Sequence, residues 1–175
     1  GYYEINVTVT DILGEEPASR TIEVRVGNPD IDLLDSYRFI KTDDCNSISL
    51  TYSESEFIGI AKDDDMIYIH VPSDKDGFIF NYSDINDLSE FSDEDGSNKL
   101  IFMKAESSDS ILVFKIDAEA DYFTKNTQII IDNIPVTTIS EYDDFSLELY
   151  MSLVDEGSTR IDSTLEQIRI GQPTI

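Results

Sequence analysis

The sequence has very little of what enzymes most often use for nucleophilic or redox chemistry. Its 175 residues include one cysteine, one histidine and no tryptophan. One cysteine cannot form a disulfide within the chain, and a nucleophilic serine or cysteine needs a base held within hydrogen-bond reach. No phosphate-binding glycine-rich loop, HExxH motif or CxxC motif occurs. Paired carboxylates of the glycosidase kind stay open, but the sequence as a whole predicts that the protein is not an enzyme.

The single histidine and the single cysteine are both interpreted as structural residues. His70 lies in an alternating segment in which Ile67 and Ile69 share one face. We therefore expect His70 on the other face, with Tyr68, as a surface or rim side chain and not as a catalytic base. Cys45 is interpreted as a small buried hydrophobe, with a partner cysteine outside this chain as the alternative.

Long hydrophobic runs and basic residues are also scarce. Apolar residues make up 40% of the chain but occur in short runs, and no segment is long enough to cross a membrane. There are 37 acidic and 12 basic residues, which gives a net charge of −25. This charge disfavours nucleic acid and anionic lipid as partners and attracts cations. Solubility and adaptation to high salt are alternative explanations of the acidity.

The first 26 residues have the pattern of a β-hairpin. Apolar and polar residues alternate over 3–10 and again over 21–26, and the turn between them contains Gly14 and Pro17. Gly27 and Pro29 then break the second strand. Because the chain begins inside a strand pattern, we expect it to be a piece of a longer protein. The predicted organisation is a hairpin over 1–27, a linker over 28–31 and a β-sandwich domain over 32–175.

The hairpin resembles the last two strands of cadherin-like or Ig-like modules of prokaryotic cell-surface proteins. The resemblance covers the run GYYEINVTVTDILG at 1–14 and the run TIEVRV at 21–26. It implies that the terminal hairpin of an Ig-like module precedes the domain proper. It also implies an extracellular location in the cell envelope.

The region after the linker reads as a series of short strands separated by Ser, Asp and Gly, which indicates an antiparallel β-sandwich. One hairpin is predicted to join 57–60 to 66–71 around the acidic run at 63–65, and one short helix is predicted over 84–91. The other predicted strands are 37–40, 48–52, 78–82, 100–104, 111–116, 128–131, 145–153 and 165–170.

A second resemblance covers 114–153. The runs FKIDAEA at 114–120 and TKNTQIIIDNIPV at 124–136 are similar to a strand–loop–strand element of surface-layer and related cell-envelope sandwich proteins. Cohesin-type scaffolding modules have similar strands, so the predicted fold class is all-β, an antiparallel β-sandwich of Ig-like or cohesin-like type.

Acidic loops are the main candidates for a binding site. Calcium prefers six to eight oxygen ligands on loops, so calcium is the predicted cofactor, with solvated turn residues as the alternative. An EF-hand is rejected, because the first loop position would fall on Pro72 or Phe91, which lack a side-chain oxygen. The candidate metal ligands are Asn28, Asp30, Asp32, Asp63, Asp64, Asp65, Asp74, Asp76, Asp93 and Asp95.

Two glycosylation sequons begin at Asn6 and Asn81. They are compatible with an exposed glycoprotein, although such triplets also arise by chance.

Two functions from different classes follow from these observations. The first is a structural or adhesive module of an extracellular, surface-layer-like protein, in contact with neighbouring domains or copies and stiffened by calcium. The second is a recognition module, cohesin-like or carbohydrate-binding, that binds a protein or a glycan. The second predicts an exposed aromatic patch, and its candidate residues are Tyr52, Phe57, Tyr68, Tyr82 and Tyr142.

Overall fold

The computed structural model describes residues 2–9, 18–25, 29–34, 38–39, 45–54, 60–71, 78–124, 126–138, 145–154 and 160–170. These residues form strands and two single-turn 3-10 helices, Tyr82–Asp84 and Lys104–Glu106. The strands are β1 (Tyr2–Val9), β2 (Ala18–Arg25), β3 (Asp30–Leu33), β4 (Arg38–Phe39), β5 (Cys45–Ser53), β6 (Met66–His70), β7 (Phe78–Phe80), β8 (Glu90–Ser92), β9 (Asn98–Phe102), β10 (Ile111–Ala118), β11 (Gln128–Thr138), β12 (Phe145–Val154) and β13 (Arg160–Ile170).

Two sheets make up the sandwich. One has seven strands in the order β4-β13-β12-β6-β10-β9-β8, and the other has four in the order β3-β5-β11-β7. All pairings are antiparallel except the two-residue contact of β13 with β4. The prediction of an all-β antiparallel sandwich is confirmed. No helix among the described residues is long and apolar enough to span a membrane.

The core lies between the inner faces of the two sheets. On β5, the alternate residues Ile48, Leu50 and Tyr52 are fully buried, and β6 buries Ile67 and Ile69 in the same way. This is the period of two that a strand with one face on the core must have. The other core side chains are Ile31, Phe80, Leu100, Phe102, Leu112, Phe114, Ile116, Phe123, Ile129, Ile131, Ile134, Val136, Leu149, Met151 and Leu153.

A β-bulge in β11 sets which of its side chains reach the core. Ile131 pairs with Leu50 and Ile134 with Ile48, so Asp132 and Asn133 together lie opposite a single residue of β5. Asn133 adopts a φ of 57°, in the left-handed region that asparagine tolerates better than most residues. The extra residue shifts the alternation by one, and isoleucines on both sides of the bulge are therefore buried.

Ser49 of β5 stabilises this bulge. Its hydroxyl donates to the Asp132 carboxylate and accepts the Asn133 backbone N–H at 3.3 Å. The Asp132 carboxylate also accepts that N–H at 2.9 Å. The polar groups that the bulge removes from the ladder are thus satisfied locally.

The predicted hairpin between 57–60 and 66–71 is wrong. Strand β6 pairs with β10 on one edge and with β12 on the other, so it has no edge left for a third partner. Residues 55–59 themselves lie outside the described residues.

The predicted helix over 84–91 is also wrong. Leu88 has a φ of 57° and is 62% exposed, although the helical interpretation placed it on the buried face. Phe91 instead lies in β8, where its ring contacts Phe114 edge-to-face at 6.0 Å. The spacing of three between apolar residues thus reflects a loop that enters a short edge strand.

The N-terminal hairpin is present as a two-stranded sheet, in which Tyr2 pairs with Arg25 and Val9 with Ala18. Asp30 and Ile31, which the sequence analysis placed in the linker, already belong to β3, where they pair with Ser53 and Tyr52 of the sandwich. That the hairpin belongs to a separate Ig-like module stays a prediction.

Candidate functional site

The outer face of the seven-stranded sheet carries a cluster of aromatic and apolar side chains, Tyr68, His70, Ile111 and Tyr150, which we call the aromatic patch. His70 of β6 lies between Ile111 of β10 and Tyr150 of β12 in the ladder. The rings of Tyr68 and His70 stack with centroids 6.0 Å apart and an interplanar angle of 17°. Tyr150 is 38% exposed, so the patch can contact a partner.

Strand periodicity explains how the patch arises. Ile67 and Ile69 of β6 point into the core, which leaves Tyr68 and His70 on the outer face. The prediction that His70 is a rim side chain beside Tyr68 is confirmed. Stacked aromatic pairs contribute roughly 0.5–1.5 kcal/mol beyond area burial, so the two rings hold one another in a fixed orientation.

The other predicted recognition aromatics do not join the patch. Tyr52 is fully buried, so its assignment to an exposed patch is wrong. Tyr82 is half-buried and packs against the core. Phe57 and Tyr142 lie outside the described residues. Tyr150, which the sequence analysis did not single out, is found from its alternation with the buried Leu149 and Met151.

The three carboxylates at 63–65 contact three different partners. Asp63 accepts the Ala118 backbone N–H at 3.1 Å. Asp64 forms an ion pair with Lys115 on the surface, and the hydrogen bond to Asp64 raises the pKa of the Lys115 ammonium. The loop therefore divides its acidic side chains between partners and does not converge them on one point.

Asp65 is buried and forms an ion pair with Arg25 of β2. Its carboxylate also accepts the Lys62 backbone N–H at 2.9 Å. The Arg25 guanidinium lies 5.7 Å from the centroid of the Tyr122 ring, within the range of a cation–π contact. The last described residue of the N-terminal hairpin is thus bonded to the sandwich.

Asp93 ends β8 and closes the turn to β9. Its carboxylate accepts both the backbone and side-chain N–H groups of Asn98, and Gly96 in the same turn has a φ of 75°. Partial burial opposes ionisation, but these hydrogen bonds outweigh it and lower the pKa of Asp93. Asp93 thus has a structural role in the turn.

The remaining candidate metal ligands do not form a cluster. Asp30 is half-buried and accepts the Ile31 N–H at 3.0 Å, while Asp32 and Asp95 are exposed. Asn28, Asp74 and Asp76 lie outside the described residues. Within the described ranges, no three Asp, Glu, His or Cys side chains come close enough to hold a metal ion. Calcium binding stays a prediction.

The two sequons differ in what is described of them. The Asn81 side-chain amide donates to the Thr137 hydroxyl at 2.9 Å, and that hydroxyl donates back to the Asn81 carbonyl at 3.1 Å. A glycan on Asn81 would have to replace this hydrogen bond. For Asn6, the structure describes only the backbone pairing with Thr21. Glycosylation at both positions stays a prediction.

Glu54 is a buried carboxyl group that follows β5. It accepts the Tyr52 hydroxyl at 2.6 Å and the Ala61 N–H at 3.0 Å, with the Ile60 N–H at 3.3 Å. Burial raises the pKa of Glu54, and these hydrogen bonds only partly oppose the shift. A group with a raised pKa contributes stability that is fully present below the unfolded-state value and is lost as the pH rises through the folded-state value.

Replacing Glu54 with glutamine should therefore stabilise the protein relative to wild type increasingly as the pH rises from 4 to 7. The measurement is the melting temperature of both proteins at several pH values, with the exposed Glu119→Gln as a control for removing one negative charge. A wild-type-to-E54Q difference that does not change with pH, or that changes as much as it does for E119Q, would contradict the assignment.

No protein family matches the sequence, and no curated protein is similar to it. Three of the solved structures to which the fold is similar are all distant. AvmM, described as catalysing macrocyclization in alchivemycin A biosynthesis, has a TM-score of 0.45 at 7% identity, over 85% of this chain and 90% of its own.

The second type II cohesin module of the cellulosomal adaptor ScaA scaffoldin of Acetivibrio cellulolyticus has a TM-score of 0.39 at 9% identity, over 86% of this chain and 96% of its own. AggA, the major subunit of aggregative adherence fimbriae type I of Escherichia coli, has a TM-score of 0.39 at 7% identity, over 85% and 95%. At this level of similarity these structures carry no argument about the present chain.

Proposed function

We propose that the chain is an extracellular recognition or adhesive module that binds another protein through the aromatic patch. The observation that carries this proposal is the partly exposed row of Tyr150, His70 and Ile111 on the outer face of the seven-stranded sheet, with Tyr68 stacked beside it. Aromatic side chains on a rigid sheet lose little conformational entropy on binding and are enriched at the energetic centres of interfaces.

A different protein fits this patch better than a second copy of the chain. Two copies would each carry a net charge of −25, and this repulsion opposes a lattice formed by the chain alone. A lattice whose acidic neighbours are screened by calcium is the finer form of the structural hypothesis. Glycan binding is the alternative ligand class, and the experiment below separates it from protein binding.

Site-specific photo-crosslinking tests the proposal. Tyr150 is replaced with benzoylphenylalanine, the chain is incubated with surface proteins of the source cells, and adducts are identified by mass spectrometry. We expect one dominant protein adduct, which weakens when Tyr68 is changed to serine. The same photo-reactive residue at the exposed Glu119 should not form it. Equal adducts at both positions, adducts with the chain itself, or glycan adducts alone would contradict the proposal.

A further inference from the structure

Strand β11 is paired along the whole of one edge but along only a short part of the other. β5 pairs with it from Gln128 to Thr137, whereas β7 pairs with it only at Val136, Thr137 and Thr138. Among the described strands, none pairs with the β7-side edge of β11 before the bulge. This leaves an open edge beside a paired one.

The hydrogen-bond pattern identifies the backbone groups at this open edge. The Thr127 carbonyl accepts the Glu54 N–H at 2.9 Å, so Thr127 faces β5. In an antiparallel ladder the bonded residues alternate, so Gln128 and Ile130 direct their N–H and C=O groups away from β5. Both side chains are exposed, Ile130 by 45%. An exposed strand edge of this kind is a template for another strand.

A groove of about 540 Å³ lies where β11 passes the bulge. Its apolar part consists of the half-buried Ile85, Phe91 and Pro135. Pro135 belongs to β11 itself, and its carbonyl accepts the Asn81 N–H at 2.9 Å. The groove is thus continuous with the edge on which β7 ends.

The polar part of the groove is acidic. Asp84, Glu90 and Asp132 contribute exposed carboxylates, and none of the described lining residues is basic. The nearby Lys99 contacts Glu90 at 3.3 Å, while Lys104 donates to backbone carbonyls behind the groove. The groove therefore favours a cationic occupant, and a second copy of this acidic chain is disfavoured.

We propose that an extended segment of another protein, with lysine or arginine alternating with apolar residues, adds as a strand to the open edge of β11 and lies in this groove. Strand addition provides main-chain hydrogen bonds through Gln128 and Ile130. Alternate side chains provide selectivity, with apolar groups against Phe91 and cations beside the carboxylates. The site is separate from the aromatic patch and goes beyond the function proposed above.

Peptide titration with amide hydrogen exchange tests this site. The probe is a short synthetic peptide of alternating lysine and valine, compared with the same peptide N-methylated at alternate residues and with a glutamate–valine peptide. We expect the lysine peptide to bind and to slow exchange at the Gln128 and Ile130 amides. The N-methylated peptide should bind about tenfold more weakly, because it cannot complete the ladder. The acidic peptide should not bind.

Two variants separate strand addition from general attraction to an acidic protein. Asp84→Lys should weaken the lysine peptide several-fold, whereas Glu119→Lys, an equal charge change at an exposed position away from the groove, should have little effect. Equal weakening by both variants, equal binding of the N-methylated peptide, or no protection of the two amides would overturn the proposal. Protection of these amides by self-association would overturn it in favour of a second copy.

Discussion

Replacing Asp65 with alanine should lower the free energy of unfolding by about 3–5 kcal/mol, because removing one partner of a buried ion pair leaves the other charge buried and uncompensated. The Asp65 side chain is 2% exposed and that of Arg25 is 12% exposed. Arg25 also lies over the Tyr122 ring, so it has little room to turn towards solvent. Urea unfolding of the full chain measures the effect.

Asp64→Ala is the matched control, since it removes an adjacent carboxylate whose ion pair with Lys115 is 40–51% exposed. Exposed pairs contribute about 0–1 kcal/mol, so this variant should change stability little. A double-mutant cycle with Arg25→Ala then isolates the coupling across the pair. Equal losses for the Asp64 and Asp65 variants would show that the hairpin is not bonded to the sandwich through Asp65.

Replacing Phe114 with alanine should cost about 3–5 kcal/mol of stability, through lost transfer energy and the cavity left behind. Phe114 is fully buried and contacts the rings of Phe91 at 6.0 Å and Phe102 at 5.7 Å. It therefore links β8, β9 and β10 on the inner face of the seven-stranded sheet. Chemical denaturation checks the size of the loss.

Leu88→Ala is the control for this prediction. Leu88 is 62% exposed, and surface substitutions of this kind usually change stability by within about 0.5 kcal/mol. The pair also tests the corrected structure of this segment. If 84–91 were a helix that buried Leu88, the two variants would cost similar amounts, and the placement of β8 would be wrong.

Sequence periodicity was sufficient where one face of a strand is buried and the neighbours are equivalent. In β6 the alternation of Ile67 and Ile69 with Tyr68 and His70 predicted both the core side and the outer side correctly. The sandwich follows from repeating this pattern, because each strand must bury its apolar face against another sheet. The helix over 84–91 failed since a spacing of three in a short segment does not reveal a positive φ at Leu88.

Features that depend on distant residues were not accessible from the sequence. The carboxylates at 63–65 are identical in type, and only the approach of Arg25, 40 residues earlier, distinguishes Asp65 from its neighbours. The bulge at Asp132 likewise depends on Ser49, 83 residues away. Tyr150 joins His70 only through the pairing of β12 with β6. Non-local pairing thus determines the candidate binding surface.

The affinity of the crosslinked protein partner for variants of the aromatic patch tests the central claim most directly. We expect the Tyr68→Ser, Tyr150→Ser double variant to lower the affinity by at least about tenfold, since aromatic hot-spot truncations typically cost 2 kcal/mol or more. Because Tyr150 is partly exposed, folding should be retained, and the melting curve verifies this. An unchanged dissociation constant for the folded double variant would contradict recognition through the outer face of the seven-stranded sheet.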